Sequence, residues 1–386
     1  MLFAKLNDLS IGGKGAYGIA ASAVERKADL PTYLRITDIF DDGTLNLSEL
    51  KSVDAPNSDK YLLKPNDIVF ARTGGSTGRN YFYDGSDGVF VYAGFLIKFS
   101  IDPEKVNPKY VKYYCRSKQY NDWVQSFNTG STRGNINAQT FGNMKIPLPE
   151  RKQQDYLVSI LEPIDEKIKN NKQVNDNLQQ QATALFSSLY DRSNTEVRFT
   201  DLIQILGGGT PKTGESTYWN GNIAFFTPKD VGTPYTLITE KTISKEGLSH
   251  CNSRLYPVNT VFVTARGTVG NVGISGVPMA MNQSCYALVG KETHQLLVYF
   301  YTLKAVDRLK HKASGAVFDA ITTRDFESEQ IMKLSDDDAK AFLCIAEPMF
   351  QKVLNNCIEN LRLSTLRDSL LPKLMSGEID VSAIQL

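Results

Sequence analysis

The chain has 386 residues, 41% hydrophobic and 22% charged, with 43 Lys and Arg against 42 Asp and Glu. This is the composition of an ordinary folded protein of two to three domains with enough apolar surface for real cores; it excludes a simple polycation, while the net charge of +1 leaves local basic patches open. No apolar run reaches the roughly 18 residues of a membrane span or resembles a leader, and five scattered cysteines with three isolated histidines make no metal spacing, so a cytoplasmic protein with reduced thiols and no membrane partner is expected.

Four segments follow in chain order. Residues 1–149 read as a mixed α/β domain. Short β-branched and aromatic runs such as Asp67–Phe70 and Gly88–Tyr92 are separated by Gly, Asn and Asp turns, and a helix is expected near 108–125. Residues 150–192 read as one long helix entered through Pro147 and Pro149. Its seam positions are Leu157, Leu161, Ile164, Ile168, Asn171, Asn175, Leu178, Ala182, Leu185 and Leu189, a 4-3 spacing that marks a coiled-coil face. Residues 193–335 repeat the first domain with different side chains. Residues 336–386 repeat the helix and add a tail, with seam positions Phe342, Ala346, Met349, Val353, Asn356, Asn360, Leu363, Arg367, Leu370 and Leu374.

The repeat is explicit. Residues 130–190 align with 315–375 without a gap: Gly130 meets Gly315, Ile136 meets Ile321, Phe141 meets Phe326, and Glu162-Pro163 meets Glu347-Pro348. One domain plus one helix, used twice, predicts approximate two-fold symmetry. Asn171 and Asn175 straddle the midpoint of the first seam. If the helices pack antiparallel, Asn171 faces Asn360 and Asn175 faces Asn356; polar seam residues cost stability but fix register. Solvent-facing asparagines in an interrupted seam are the other reading. Each helix would be about 60 Å long at 1.5 Å per residue, a rod separating two domains.

No nucleophile elbow, Walker A loop or zinc-protease helix is present, and no active site is evident. Gly13-Lys14-Gly15-Ala16-Tyr17-Gly18 matches G-x-G-x-x-G with Asp38 downstream, but no continuous apolar strand precedes it, and the second copy, Gly207-Gly208-Gly209-Thr210-Pro211-Lys212, lacks the pattern. A glycine loop open to phosphate suits Lys14 and Lys212 better than a dinucleotide site; a plain turn is the alternative. The strongest local feature is duplicated: Pro65–Arg79 aligns with Pro257–Asn271, each a turn, a buried strand and a loop of Gly, Thr and Arg. Arg72, Thr73, Ser76, Thr77 and Arg79 in the first copy, and Thr264, Arg266, Thr268 and Asn271 in the second, suit phosphate oxygens or base edges. Gly74, Gly78, Gly267 and Gly270 would shape the loops. A further loop offers Thr132 and Arg133, whereas its counterpart keeps the glycine but not the arginine.

At this point the chain resembles the specificity subunit of type I restriction–modification enzymes. The loop pair, Lys145–Pro149, Ile160–Asp165 and above all Leu366–Ile379 carry the likeness, which covers essentially the whole chain. The resemblance implies two target recognition domains alternating with two conserved helices that form an antiparallel coiled coil. It implies a non-catalytic subunit that reads a split, asymmetric double-stranded DNA target. Two methyltransferase subunits would carry S-adenosylmethionine, two restriction subunits would use ATP and Mg, and this chain would bind no cofactor itself. A coiled-coil scaffold without a DNA role, or less favourably a dinucleotide-binding enzyme, are the competing readings.

Overall fold

The computed structural model describes residues 2–127, 134–232, 234–312 and 320–379. The chain divides into two compact units, Met1–Glu166 with Ser364–Leu386, and Lys167–Leu363. The division falls inside both long helices, Arg151–Tyr190 and Asp336–Ser376, so each unit owns a stretch of each helix.

In the first unit, Leu2–Lys5 pairs antiparallel with Lys145–Leu148. An antiparallel sheet runs in the order Ala16–Tyr17, Leu96–Ser100, Asp67–Ala71, Asn80–Tyr83. A second sheet orders Ala23–Val24, Lys51–Val53, Thr32–Leu34 and Phe90–Tyr92, the last pair parallel. Asp67–Ala71 is buried along its whole length, which explains its unbroken apolar run. The helix expected over 108–125 breaks in two, Pro108–Tyr114 and Lys118–Gln125. Ser117 restarts it: its hydroxyl accepts the Tyr120 N–H at 3.3 Å, the usual work of an N-cap. Phe70 stacks on Phe141 with ring centres 4.7 Å apart, and Phe99, Tyr110, Tyr113 and Tyr120 fill the same core. Leu157 and Leu161 of the first long helix share that core with Leu371 and Met375 of the second.

One seam position, Arg367, looks misplaced until its partner is seen. Arg367 Nη1 donates to Asp165 Oδ1 at 3.0 Å. Arg116 Nη1 at 2.8 Å, Lys112 Nζ at 3.1 Å and the Tyr113 hydroxyl at 3.1 Å close on the other oxygen. Burial alone would raise the Asp165 pKa, but Arg116, Lys112 and Arg367 outweigh it and hold the carboxyl well below the usual carboxylate range.

The second unit repeats the plan. Thr195–Arg198 pairs with Gln330–Lys333. A five-stranded sheet orders Ile203–Gly207, Cys285–Gly290, Val261–Thr264, Val272–Ser275 and Tyr235–Thr236, and Lys241–Ile243, Trp219–Phe226 and Met279–Met281 make a smaller one. A single helix, Gln295–Lys312, stands where the first unit has two. Phe186 and Phe342 of the long helices pack on Phe300, with Phe350 beside it. Phe350 occupies the place that Asp165 holds in the first unit, so an aromatic cluster replaces the ionic one.

The duplicated Glu-Pro pair has a visible role. Glu162 ion-pairs with Lys109, and Glu347 lies 2.8 Å from His294 Nε2. Each carboxylate ties its long helix to the start of the segment that follows the sheet. Within the second unit the long helices run antiparallel where they touch. Asn171 Nδ2 donates to Asn360 Oδ1 at 2.9 Å and to Glu359 Oε2 at 2.8 Å, and Asn356 Nδ2 donates to Asn175 Oδ1 at 2.8 Å. Asn171, Asn175 and Asn356 are buried. The solvent-facing reading is therefore corrected: these side chains lie between the helices and bond across them.

Candidate nucleic-acid interface

Each unit turns the end of its central buried strand into a glycine-rich loop. In the first, Gly74 and Gly78 take φ of +78° and +87°, where a side chain would be strained. Gly78 has a second reason to be glycine: a Cβ there would fall 2.4 Å from Val124 Cγ1, and its carbonyl accepts the Tyr120 hydroxyl at 2.5 Å. The half-buried Thr77 hydroxyl faces the carbonyls of Gly74 at 2.8 Å and Gly134 at 2.9 Å, which ties the loop together. Ser76 is buried, which corrects the expectation that its side chain faces a ligand. Arg79 Nε donates to Asp41 Oδ1 at 2.6 Å and Nη1 to the Ile39 carbonyl at 3.2 Å, which fixes it at the loop base. Thr73 bridges Asn135. Thr132 and Arg133 lie outside the described residues.

Arg72 stands apart. Its guanidinium lies 5.4 Å from the Tyr17 ring centre and 5.8 Å from that of Phe95. Both rings are open to solvent, 44% and 55% exposed. Arg72 Nε is buried without a hydrogen-bond partner among the described residues. The Tyr17 hydroxyl accepts the Ala138 N–H at 3.2 Å, which steadies the ring. Tyr17 and Phe95 are residues the sequence reading missed. Tyr17 comes from the edge strand and Phe95 from the turn before Leu96–Ser100, and strand pairing brings them to Arg72.

The Gly13–Gly18 stretch has no dinucleotide geometry. It leads into the short edge strand Ala16–Tyr17, not a helix. Gly15 and Gly18 exist for close packing: a Cβ on Gly18 would sit 2.3 Å from the Ala93 carbonyl oxygen, and one on Gly15 2.5 Å from the Phe99 ring. Asp38 is buried, accepting from the Arg35 side chain and backbone. Lys14 remains exposed before the strand.

Hydrogen bonds fix the true correspondence of the two loops. Arg72 N–H donates to the Phe95 carbonyl at 3.0 Å, and Ala265 N–H to the Ser284 carbonyl at 2.7 Å. Ile136 N–H donates to the Arg72 carbonyl and Ile321 N–H to the Ala265 carbonyl, both at 2.9 Å. Arg72 therefore corresponds to Ala265, not to Thr264, and Thr73 corresponds to Arg266. The alignment that sets Pro65 opposite Pro257 is one residue out of register. Asn66 and Asn259, with φ of +72° and +70°, mark the shared turn, and a second loop one residue shorter restores Gly270 opposite Gly78. By the same pairing, Tyr17 opposite Ile97 corresponds to Gly207 opposite Tyr286. The first unit's Tyr17, Arg72 and Phe95 thus become Gly207, Ala265 and Ser284 in the second.

Thr264 is fully buried: its hydroxyl accepts the Asn271 N–H at 3.0 Å and donates to the Thr268 carbonyl. The expectation that it faces a ligand is corrected; strand pairing turns it inward. Arg266, Gly267, Thr268 and Asn271 are exposed, with the Thr268 hydroxyl donating to the Pro228 carbonyl at 3.2 Å. Gly267 and Gly270 take φ of +84° and +76°. A Cβ on Gly270 would fall 2.6 Å from Lys310 Cε, so the glycine makes a seat for the stem of an exposed lysine at the end of Gln295–Lys312. Nothing in the sequence linked Lys310 to this loop. Lys212 sits elsewhere, its carbonyl accepting the Trp219 Nε1–H at 3.3 Å.

The arrangement offers exposed cations, amides and hydroxyls on the two loops, which suits recognition. Among the described residues no cluster of His, Cys, Asp or Glu could hold a metal ion, and no helix is long and apolar enough to cross a membrane. The family described as type I restriction modification DNA specificity domain matches residues 25–180 and 192–333. Among curated relatives, the chain is similar to the type I restriction enzyme HindI specificity subunit of Haemophilus influenzae, 23% identical over 92% of this chain and 97% of that protein. It is also similar to the MjaIX specificity subunit of Methanocaldococcus jannaschii, 21% identical over 74% of this chain and 72% of that one. Among solved structures, the type I restriction–modification S subunit from M. genitalium has the same fold, with a TM-score of 0.58 at 15% identity over 97% of this chain and 95% of that one.

Proposed function

Since the chain belongs to the type I restriction–modification DNA specificity family and is a DNA sequence-specificity subunit, we propose that each of its two units reads one half of a split, asymmetric target in double-stranded DNA. One observation carries this reading. Two loops built on the same backbone frame present unlike side chains, Tyr17, Arg72 and Phe95 against Gly207, Ala265 and Ser284. A common frame with different chemistry is what two readers of different sequences require.

Lys14, Arg72, Thr73, Arg79, Thr132 and Arg133 would serve the first half-site, with Arg79 free for DNA only by sharing Asp41. Lys212, Arg266, Thr268, Asn271 and, newly, Lys310 would serve the second. The two long helices act as an antiparallel coiled coil that sets the distance between half-sites, with the Asn171–Asn360 and Asn175–Asn356 pairs fixing its register; cross-helix bonding of those side chains supports this. The internal duplication of domain and helix favours a pair of methyltransferase subunits docking on the helices, with restriction subunits joining them in the cytoplasm. S-adenosylmethionine, ATP and Mg belong to those partners, and this chain contributes recognition and no catalytic group.

Mapping methylated adenines in cells that carry this gene beside its methyltransferase partner tests the reading. The expected motif has two unlike halves at a constant gap; a continuous or palindromic motif would overturn it.

A further inference from the structure

We propose that Arg72 is the base-reading side chain of the first unit, held by Tyr17 and Phe95 to engage the major-groove edge of a guanine. The inference rests on the specificity reading and narrows it to one side chain and one base. A phosphate contact needs only a charge, and flexible lysines or backbone amides provide that at low cost. Arg72 is built differently. Its guanidinium is flanked by two rings, one of them tethered through its hydroxyl to the Ala138 N–H, so the side chain has lost much of its freedom before any ligand arrives. Among the described residues no carboxylate is paired with it, whereas Arg79, seven positions along the same loop, is held by Asp41. Nε is buried, so the fork is the pair of terminal Nη groups, which donate to no described residue and match the adjacent O6 and N7 acceptors of guanine.

The exposed rings add a second argument. Large apolar side chains on a surface usually mark a place that becomes covered, and Tyr17 and Phe95 flank the arginine rather than scatter at random. The second unit argues by contrast. It keeps the backbone hydrogen bonds at Arg72, Phe95 and Tyr17 but replaces all three side chains with Ala265, Ser284 and Gly207. The frame does not need the three large residues; the first unit's target does. Tyr17 and Phe95 are positioning residues here, acting through Arg72.

The test is a cycle between protein and DNA variants. The probe is a duplex carrying the methylated site mapped in cells, with 7-deazaguanine placed in turn at each guanine of the first half-site, so that one N7 acceptor is lost at a time. Binding is read by anisotropy for the full chain in complex with its methyltransferase. The native chain should lose roughly ten- to a hundred-fold in affinity at one guanine. In Arg72→Ala that same substitution should cost less than about two-fold, because the interaction is already gone, and in Arg72→Lys, which keeps a donor but loses the planar fork, the penalty should shrink. Tyr17→Ala and Phe95→Ala should shrink the penalty while leaving the salt dependence unchanged, which a general loss of structure would not do. A penalty that stays the same in both Arg72 variants, or a first half-site without a sensitive guanine, overturns the assignment and leaves the specificity reading standing. A native chain that binds the mapped and a scrambled duplex equally overturns that reading itself. Arg72→Lys, which keeps charge and bulk, decides the case if Arg72→Ala does not fold.

Discussion

Asp165 shows how one residue can be misread as part of a repeat. Its position recurs as Phe350, yet the two side chains do opposite things: the carboxylate gathers Arg116, Lys112 and Arg367, and the ring joins an aromatic cluster. Removing one member of such a largely buried network leaves uncompensated charge behind. Asp165→Asn should destabilise the protein by about 3 kcal/mol, the low end of the range for broken buried pairs because the site keeps some exposure. The pH dependence follows from the sign of the shift. The folded carboxyl titrates below the ordinary aspartate value of 3.8, so its stabilisation is fully present above that value and is lost as pH falls from there through the lower folded value. Thermal unfolding followed from about pH 6 down to about pH 3 should show this acid-side loss in the native chain and a smaller one in Asp165→Asn. Equal slopes would mean the network is not coupled to folding. Arg72 and Tyr17 illustrate what a sequence hides at this scale. Arg72 was visible as a loop arginine, but its two ring partners lie 55 and 23 positions away along the chain (17 to 72, 72 to 95), and only strand pairing joins them.

At the scale of elements, the long helices were the most legible feature, because a 4-3 spacing sustained over ten positions has few other causes. Their ends were less so. Val158, Phe186, Phe350, Leu354, Leu371 and Met375 are buried although they fall off the seam, because much of each helix packs on a globular core as well as on the other helix. The loops show the opposite failure. An alignment without gaps matched proline to proline and missed a shift of one residue that a shorter loop later cancels, so the true partner of Arg72 was hidden. Between the helices, Asn175 and Asn356 test whether the polar pair acts as a unit. Asn175→Leu alone leaves Asn356 buried without its acceptor and should cost about 1–3 kcal/mol, whereas adding Asn356→Leu should recover at least half of that. Chemical denaturation of the two single variants and the double reads the coupling directly. Strictly additive losses would show that the pair is incidental.

For the molecule as a whole, the sequence carried the duplication, the two long helices and the family; it did not carry the faces of the two readers. Those faces depend on where each strand ends and its loop begins, as Thr264 and Arg266 show: the last residue of Val261–Thr264 is buried, and Arg266, beyond that end, is exposed. The central claim is one reader for each half-site, and hydroxyl-radical footprinting of the full chain with its methyltransferase on the mapped duplex tests it most directly. The account predicts two protected patches separated by an unprotected gap, with Arg72→Ala weakening only one patch and Arg266→Ala only the other. A single continuous patch, or both patches fading together in either variant, would contradict it.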